Sequence, residues 1–223
     1  MSNASSHYAE GSLLGAVELA PAKTTIVVVD MINAQVHPDG PLVRVLRDAG
    51  VDAEYYCSRL EHTLIPNAQR LLAGPREADV PVIYVCMSTH RRDGRDGHPQ
   101  LRGLLTQWDA AEGSWGATVH DALSPTDNDI RLMEYGSGGY YGSLLEPTLR
   151  NLGTEHVVYT GVLTDACVLL HCAEGFDRGF RQWVLEDATA TLTERAHENA
   201  LEIKSTFMAT VTNMAAITSH LIE

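Results

Sequence analysis

Basic residues are scarce in this chain. It has 16 Lys and Arg against 29 Asp and Glu, a formal net charge of -13 at pH 7 and a pI near 5.1. A field of that sign repels phosphate backbones and anionic bilayers, so neither nucleic acid nor a membrane is an expected partner. Long apolar runs are missing as well: none reaches the roughly 18–20 residues that a membrane span needs. No charged-then-apolar leader opens the sequence. The four cysteines, at 57, 86, 167 and 172, make no CxxC pair and no zinc spacing. Free thiols in a cytoplasmic protein are therefore expected. There is no internal repeat, and low complexity is confined to the first residues.

What remains is a globular chain. Hydrophobic residues make up 44% and charged residues 20%, and 223 residues are ample for one domain with a sizeable core. Residues 1–20 are small, polar and glycine-containing, and read as an N-terminal arm that packs on a neighbouring subunit. Residues 21–223 read as one domain. The run from Thr25 to Asp30 is continuous, apolar and β-branched, which suits a strand buried on both faces of a parallel sheet. Further strands are expected over 81–87, 129–133, 156–161 and 182–186, with a short one over 208–211. Helical spacing marks 53–72, where Leu60, Leu64, Ala68 and Leu71 share one side. A helix is expected near 100–108, one ending at Leu152 with Gly153 as an αL cap, and one from Cys167 to about Arg178, closed by Gly179. Strands alternating with helices predict a three-layer α/β/α fold of the Rossmann-like type, with a mainly parallel sheet.

The segment from Tyr159 to His171 carries the most chemistry. It reads as a buried strand, a tight turn and a helix that opens at Cys167. A thiol at a helix N-terminus meets unpaired N–H groups and the positive end of the dipole, which favours thiolate. The same N–H groups can hold a developing oxyanion. A small apolar residue that merely starts a helix fits the local pattern equally well.

Four segments, taken in order, resemble the isochorismatase-like, or cysteine hydrolase, superfamily. They are Val27-Val-Val-Asp30-Met-Ile-Asn33, Glu112-Gly-Ser-Trp-Gly116, Tyr140-Tyr-Gly-Ser-Leu-Leu145 and Gly161-Val-Leu-Thr-Asp-Ala-Cys167-Val168. The resemblance implies a triad of Asp, Lys and Cys at the C-terminal edge of the sheet. There the Cys attacks the carbonyl of a small amide or ureide, with Asp as base and acid and no cofactor. It places Asp30 and Cys167 in the triad, implies a non-proline cis peptide at Val162–Leu163, and implies a homo-oligomer, dimer or tetramer.

The lysine is absent: its position holds Glu134. A Glu beside Asp30 and Cys167 disfavours thiolate, and two carboxylates sharing a buried site should hold a proton between them. Arg131 is offset to the other face of the strand. His90 and His171 are the candidates to replace the cation, His171 lying one helical turn after Cys167. Three readings stay open. One is a thiol hydrolase with rearranged protons, whose substrate brings its own cation to Glu134 in one version. The second is acid-pair chemistry by Asp30 and Glu134 without thiol attack, such as vinyl ether hydrolysis, ring opening or isomerisation. The third is a silent small-molecule binding protein.

Asn33 either orients substrate or caps a turn, and Tyr140 either walls the pocket or packs. Leu163 supplies an oxyanion N–H, Thr164 and Asp165 are expected to N-cap the nucleophile helix, and Trp115 is expected to pack structurally. The Asp-x-His of metal-binding relatives is missing, and the histidines and aspartates around His90 and His98 read as solvated, so no metal site is expected.

Overall fold

A computed structural model of the chain describes Leu13 and residues 18–221. Most of the expected N-terminal arm lies outside the described residues. Six strands form one all-parallel sheet: β1 (Thr24–Val29), β2 (Val82–Met87), β3 (Ile130–Glu134), β4 (His156–Val162), β5 (Arg181–Ala190) and β6 (Thr210–Thr212). Their order is β3-β2-β1-β4-β5-β6. The central strands β1, β2 and β4 are buried along their whole length, as their unbroken apolar and β-branched runs require.

The helices are α1 (Asn33–Val36), α2 (Pro41–Asp48), α3 (Glu54–Arg59), α4 (Ile65–Glu77), α5 (Arg102–Gln107), α6 (Leu145–Asn151), α7 (Cys167–Asp177), α8 (Glu194–Phe207) and α9 (Met214–Leu221). A π-helical turn, Leu60–Leu64, joins α3 to α4, so the expected single helix is longer than its apolar stripe and is interrupted. The chain leaves β1 toward β2 and β3, then returns to the other side through β4, β5 and β6. Right-handed crossovers therefore place α3 and α4 on one face and α6, α7 and α8 on the other. Helix α9 packs back against α4, completing three layers.

This order reverses between β1 and β4, and the crevice beyond the carboxyl ends of those strands is where open α/β sheets bind ligands. Asp30 follows β1, and Cys167 comes five residues after β4. Gly161 makes the approach possible. It sits at φ 121°, a β-bulge shifts the β4–β5 register there, and a Cβ on it would lie 2.1 Å from the Val29 carbonyl oxygen. Among the described residues no helix is long and apolar enough to cross a membrane.

Candidate active site

Asp30 is held in the left-handed region, at φ 53°, by two bonds to β2. Its N–H donates to the Val85 carbonyl at 2.9 Å, and its Oδ1 accepts the Met87 N–H at 2.6 Å. Cys167 is the first residue of α7, reached through a cis peptide between Val162 and Leu163. Glu134 is the last residue of β3, brought level with Met87 by the β2–β3 register. The Asp30 and Glu134 carboxylates and Cys167 Sγ each offer a donor atom within 4.8 Å of the others, and all three residues are buried.

His171 completes the cluster. Its Nδ1 lies 2.8 Å from the Cys167 carbonyl oxygen, and its Nε2 lies 3.3 Å from Glu134 Oε2, with both side chains fully buried. A carbonyl only accepts, so Nδ1 carries a proton. Nε2 and Glu134 Oε2 therefore face each other across a single proton's place: imidazolium against carboxylate, or imidazole against carboxylic acid. The contact does not meet the geometry of a hydrogen bond, and both Glu134 oxygens, Asp30 Oδ2 and His171 Nε2 are left without hydrogen-bond partners. Gly139 is pressed onto this pair: a Cβ there would lie 2.2 Å from His171 Nε2 and 3.0 Å from Glu134 Oε2.

Burial dominates the protonation of every acid in the cluster. It raises the Asp30 carboxyl, while the Cys167 thiol, the Met87 amide, His171 and Gln35 pull it back. It raises Glu134 to about 7, with the His171 charge opposing and the Asp30 charge reinforcing. The Cys167 thiol is pushed up by burial first and by the charges of Asp30 and Glu134 next, with the Leu163 backbone pulling down. For His171, burial pushes down, yet the Glu134 charge and contact, the Cys167 carbonyl and Asp30 together leave it raised. The Cys167 thiol is thus held toward its neutral form, despite its helix N-terminus.

The structure brings Asp30, Glu134, Cys167, His171 and Leu163 together. Of the other expected residues, Tyr140 meets the cluster only through an edge contact of its ring with His171, centroids 6.3 Å apart, and His90 and Asn33 are bonded elsewhere. His90 is drawn outward to Glu112, 3.1 Å away, and its side chain is 60% exposed. There it lines, with His98, Arg131, Tyr135, Gly138 and Glu174, an open cleft of about 990 Å³ beside β3. Gly138 and Gly139 form the partition between that cleft and the buried pair. Tyr140 is buried against α7, its hydroxyl 2.7 Å from that of Tyr159. Asn33 caps no helix; its amide donates to the Trp115 carbonyl at 3.1 Å. Trp115 itself is 48% exposed, edge-on to His37, and is not a packed core residue.

The expected N-caps also fall elsewhere. Ala166 is the N-cap of α7 and no side chain caps it. The Thr164 hydroxyl pairs with His197 Nδ1 at 2.8 Å, and Asp165 accepts from the Thr191 hydroxyl. Behind the turn, the fully buried Lys204 donates from Nζ to the carbonyls of Thr164 (2.5 Å) and Ala200 (3.0 Å). Burial lowers its pKa to about 8, against the pull of Cys172 and Asp165.

Two further residues at the site were not singled out in the sequence. Gln35 is buried beside Asp30 with its Nε2 unpartnered; a polar residue just after a buried strand was its only signal. Gly139 had none beyond the glycine-rich loop around it.

The isochorismatase domain model matches residues 24–216, nearly the whole described chain. The chain belongs to the isochorismatase family. Among its family relatives, the ureidoacrylate amidohydrolase RutB of Methylobacterium radiotolerans is 32% identical over 220 residues, covering 92% of this chain and 82% of the relative. RutB of Caulobacter vibrioides is 29% identical, covering 76% and 77%. Of solved family structures, N-carbamoylsarcosine amidase from Thermoplasma acidophilum is 27% identical with a TM-score of 0.66, covering 86% of this chain and 96% of that one. A cysteine hydrolase from Pseudomonas syringae pv. phaseolicola shares the fold, with a TM-score of 0.78, 22% identity, and coverage of 92% and 95%.

Proposed function

We propose that Cys167 carries the reaction of this C–N hydrolase, with Asp30 as its proton carrier and the Glu134–His171 pair in place of a lysine. The observation that supports this reading most is the placement of Cys167 Sγ at the first turn of α7, beside the Asp30 carboxylate and the Leu163 backbone. The substrate is a small amide or ureide, the chemistry named in the amidohydrolase relatives.

Asp30 takes the thiol proton as Sγ bonds to the carbonyl carbon, and the carbonyl π electrons move to oxygen. The N–H groups of Leu163 and Cys167 hold that oxyanion. Its collapse breaks the C–N bond, and Asp30 returns the proton to the leaving nitrogen. Water then adds to the thioester, giving its proton to Asp30, and the C–S bond breaks with the proton returning to sulfur. With one proton between them, Glu134 and His171 add no net charge, which leaves Asp30 as the ionised carboxylate. The unpartnered oxygens of Glu134 favour substrates that present N–H donors, including the cationic amines, amidines and guanidiniums.

The four free thiols fit a reducing compartment, and we place the enzyme in the cytoplasm. We expect a homo-oligomer of two or four copies, in which a neighbour covers the exposed Tyr141 and Leu144; sedimentation of the purified chain checks this. The function is tested by Cys167→Ala on a panel of ureides, carbamoyl compounds and amides, with mass spectrometry of the Cys167 peptide during turnover. Loss of turnover together with an acyl adduct on the wild-type peptide is expected. Wild-type rates in Cys167→Ala would sink thiol attack in favour of acid-pair chemistry.

A further inference from the structure

The mechanism leaves an unusual remainder. Three anionic or potentially anionic donors converge on one buried point, and several of their lone pairs are unspent. Glu134 Oε1 and Asp30 Oδ2 are fully buried and without hydrogen-bond partners, and both carboxylates belong to the cluster whose donor atoms lie within 4.8 Å of one another. A buried, unpartnered carboxylate oxygen is costly unless a proton or a cation meets it.

The donor set identifies the cation. One thiolate sulfur with two carboxylate oxygens suits a borderline divalent ion such as Zn²⁺ or Co²⁺, and is a poor match for Mg²⁺ or Ca²⁺, which take oxygen shells of six or more. Tetrahedral zinc with bonds of about 2.0 Å to oxygen and 2.3 Å to sulfur needs donors roughly 3.5 Å apart. The donor atoms here lie within 4.8 Å of one another, so binding requires them to close by about 1 Å. The outer partner that a ligating carboxylate takes is present too: His171 Nε2 stands 3.3 Å from Glu134 Oε2. The histidines and aspartates of the 90–98 loop form no comparable group among the described residues.

We propose that Asp30, Glu134 and Cys167 form a three-donor site for a zinc-type divalent cation, and that the bound ion holds the hydrolase off by occupying Cys167 Sγ. A sulfur lone pair engaged in a metal bond is not available to attack a carbonyl, so the ion is an inhibitor and not a cofactor. The inhibitory part rests on the reading of Cys167 as nucleophile; the binding part does not.

The test titrates the full-length chain, stripped with a chelator, with ZnCl₂ by calorimetry and with CoCl₂ by absorption spectroscopy. One equivalent is expected, with a thiolate-to-cobalt charge-transfer band and tetrahedral d–d bands, and no response to MgCl₂. Glu134→Gln and Cys167→Ser should each weaken binding at least 100-fold, and His171→Gln by about 10–100-fold, while His90→Ala leaves it unchanged. Absence of the cobalt bands in the wild-type chain, which needs no variant to fold, overturns the proposal. So does binding that survives Glu134→Gln, since the ion would then sit on a thiol or an exposed histidine alone. Turnover that is unaffected by saturating Zn²⁺ also overturns it. Thiol-dependent turnover measured in chelator stands or falls separately from all of these outcomes.

Discussion

Two buried charges flank the turn from Leu163 to Cys167, and they are held in different ways. Glu134 faces a counter-group, His171, whose Nε2 lies 3.3 Å from its Oε2. Among the described residues, Lys204 meets only the backbone carbonyls of Thr164 and Ala200 at hydrogen-bond distance. The chain has two lysines, and the other, Lys23, is a surface residue paired with Glu155. The buried cation near Cys167 thus sits behind the turn and braces it, whereas the group beside the thiol is acidic. The contrast separates a charge that fixes peptide geometry from an acid set against a titratable neighbour.

Removing the acid should have the largest effect. Glu134→Gln keeps the shape but leaves His171 without a proton partner, so turnover should fall by about 10²–10⁴-fold, the range of a positioned acid–base group. Steady-state rates on the best ureide substrate decide this; an unchanged kcat would make Glu134 a bystander. The second effect is one of stability. Lys204 has its pKa lowered to about 8 from 10.5, so the unfolded chain holds that proton over a range where the folded chain has released it. Stability should therefore rise with pH between about 8 and 10.5, by about 3 kcal/mol in wild type relative to Lys204→Met. Urea unfolding of both proteins at several pH values reads the slope, and parallel curves would show that Lys204 is not desolvated.

Gly139→Ala should come next. Its methyl would meet His171 Nε2 at 2.2 Å, so a cost of about 1–3 kcal/mol is expected from overpacking, with loss of activity from displacement of the pair. Melting and rate measurements on one preparation check both together. His90→Ala should do least: its ring is mostly exposed, pairs at the surface with Glu112 and lies edge-on to Tyr135, so stability should hold within about 0.5 kcal/mol and turnover within twofold. A large drop in turnover would move the substrate into the cleft beside β3.

The sheet was legible because its central strands are uninterrupted β-branched runs and its turns are glycines with positive φ, at 153 and 179. The triad was legible through three short motifs, each on a different strand end. His171 could be placed near Cys167 because helical periodicity is a local rule. Its contact with Glu134 depends on how β3 lies against α7, which no local rule carries. The same holds for Thr164 and Asp165: their spacing suggests caps, but His197 and Thr191, distant in sequence, claim their side chains. Tyr140 was ambiguous for the same reason, since its hydroxyl partner, Tyr159, lies on another strand. The two small helices after β1 were missed because, at four and eight residues, they show too little periodicity.

The imidazole of His171 hangs from the carbonyl of Cys167 itself. The Cys167 thiol and the imidazole that faces Glu134 are consequently tied within one helical turn by a hydrogen bond, and neither can be reoriented alone. Fraying of the first turn of α7 would release both at once. Heat, denaturant or a poorly placed substitution should then yield molecules that are either fully competent or inert, with titrations of activity and of folded fraction running along one curve.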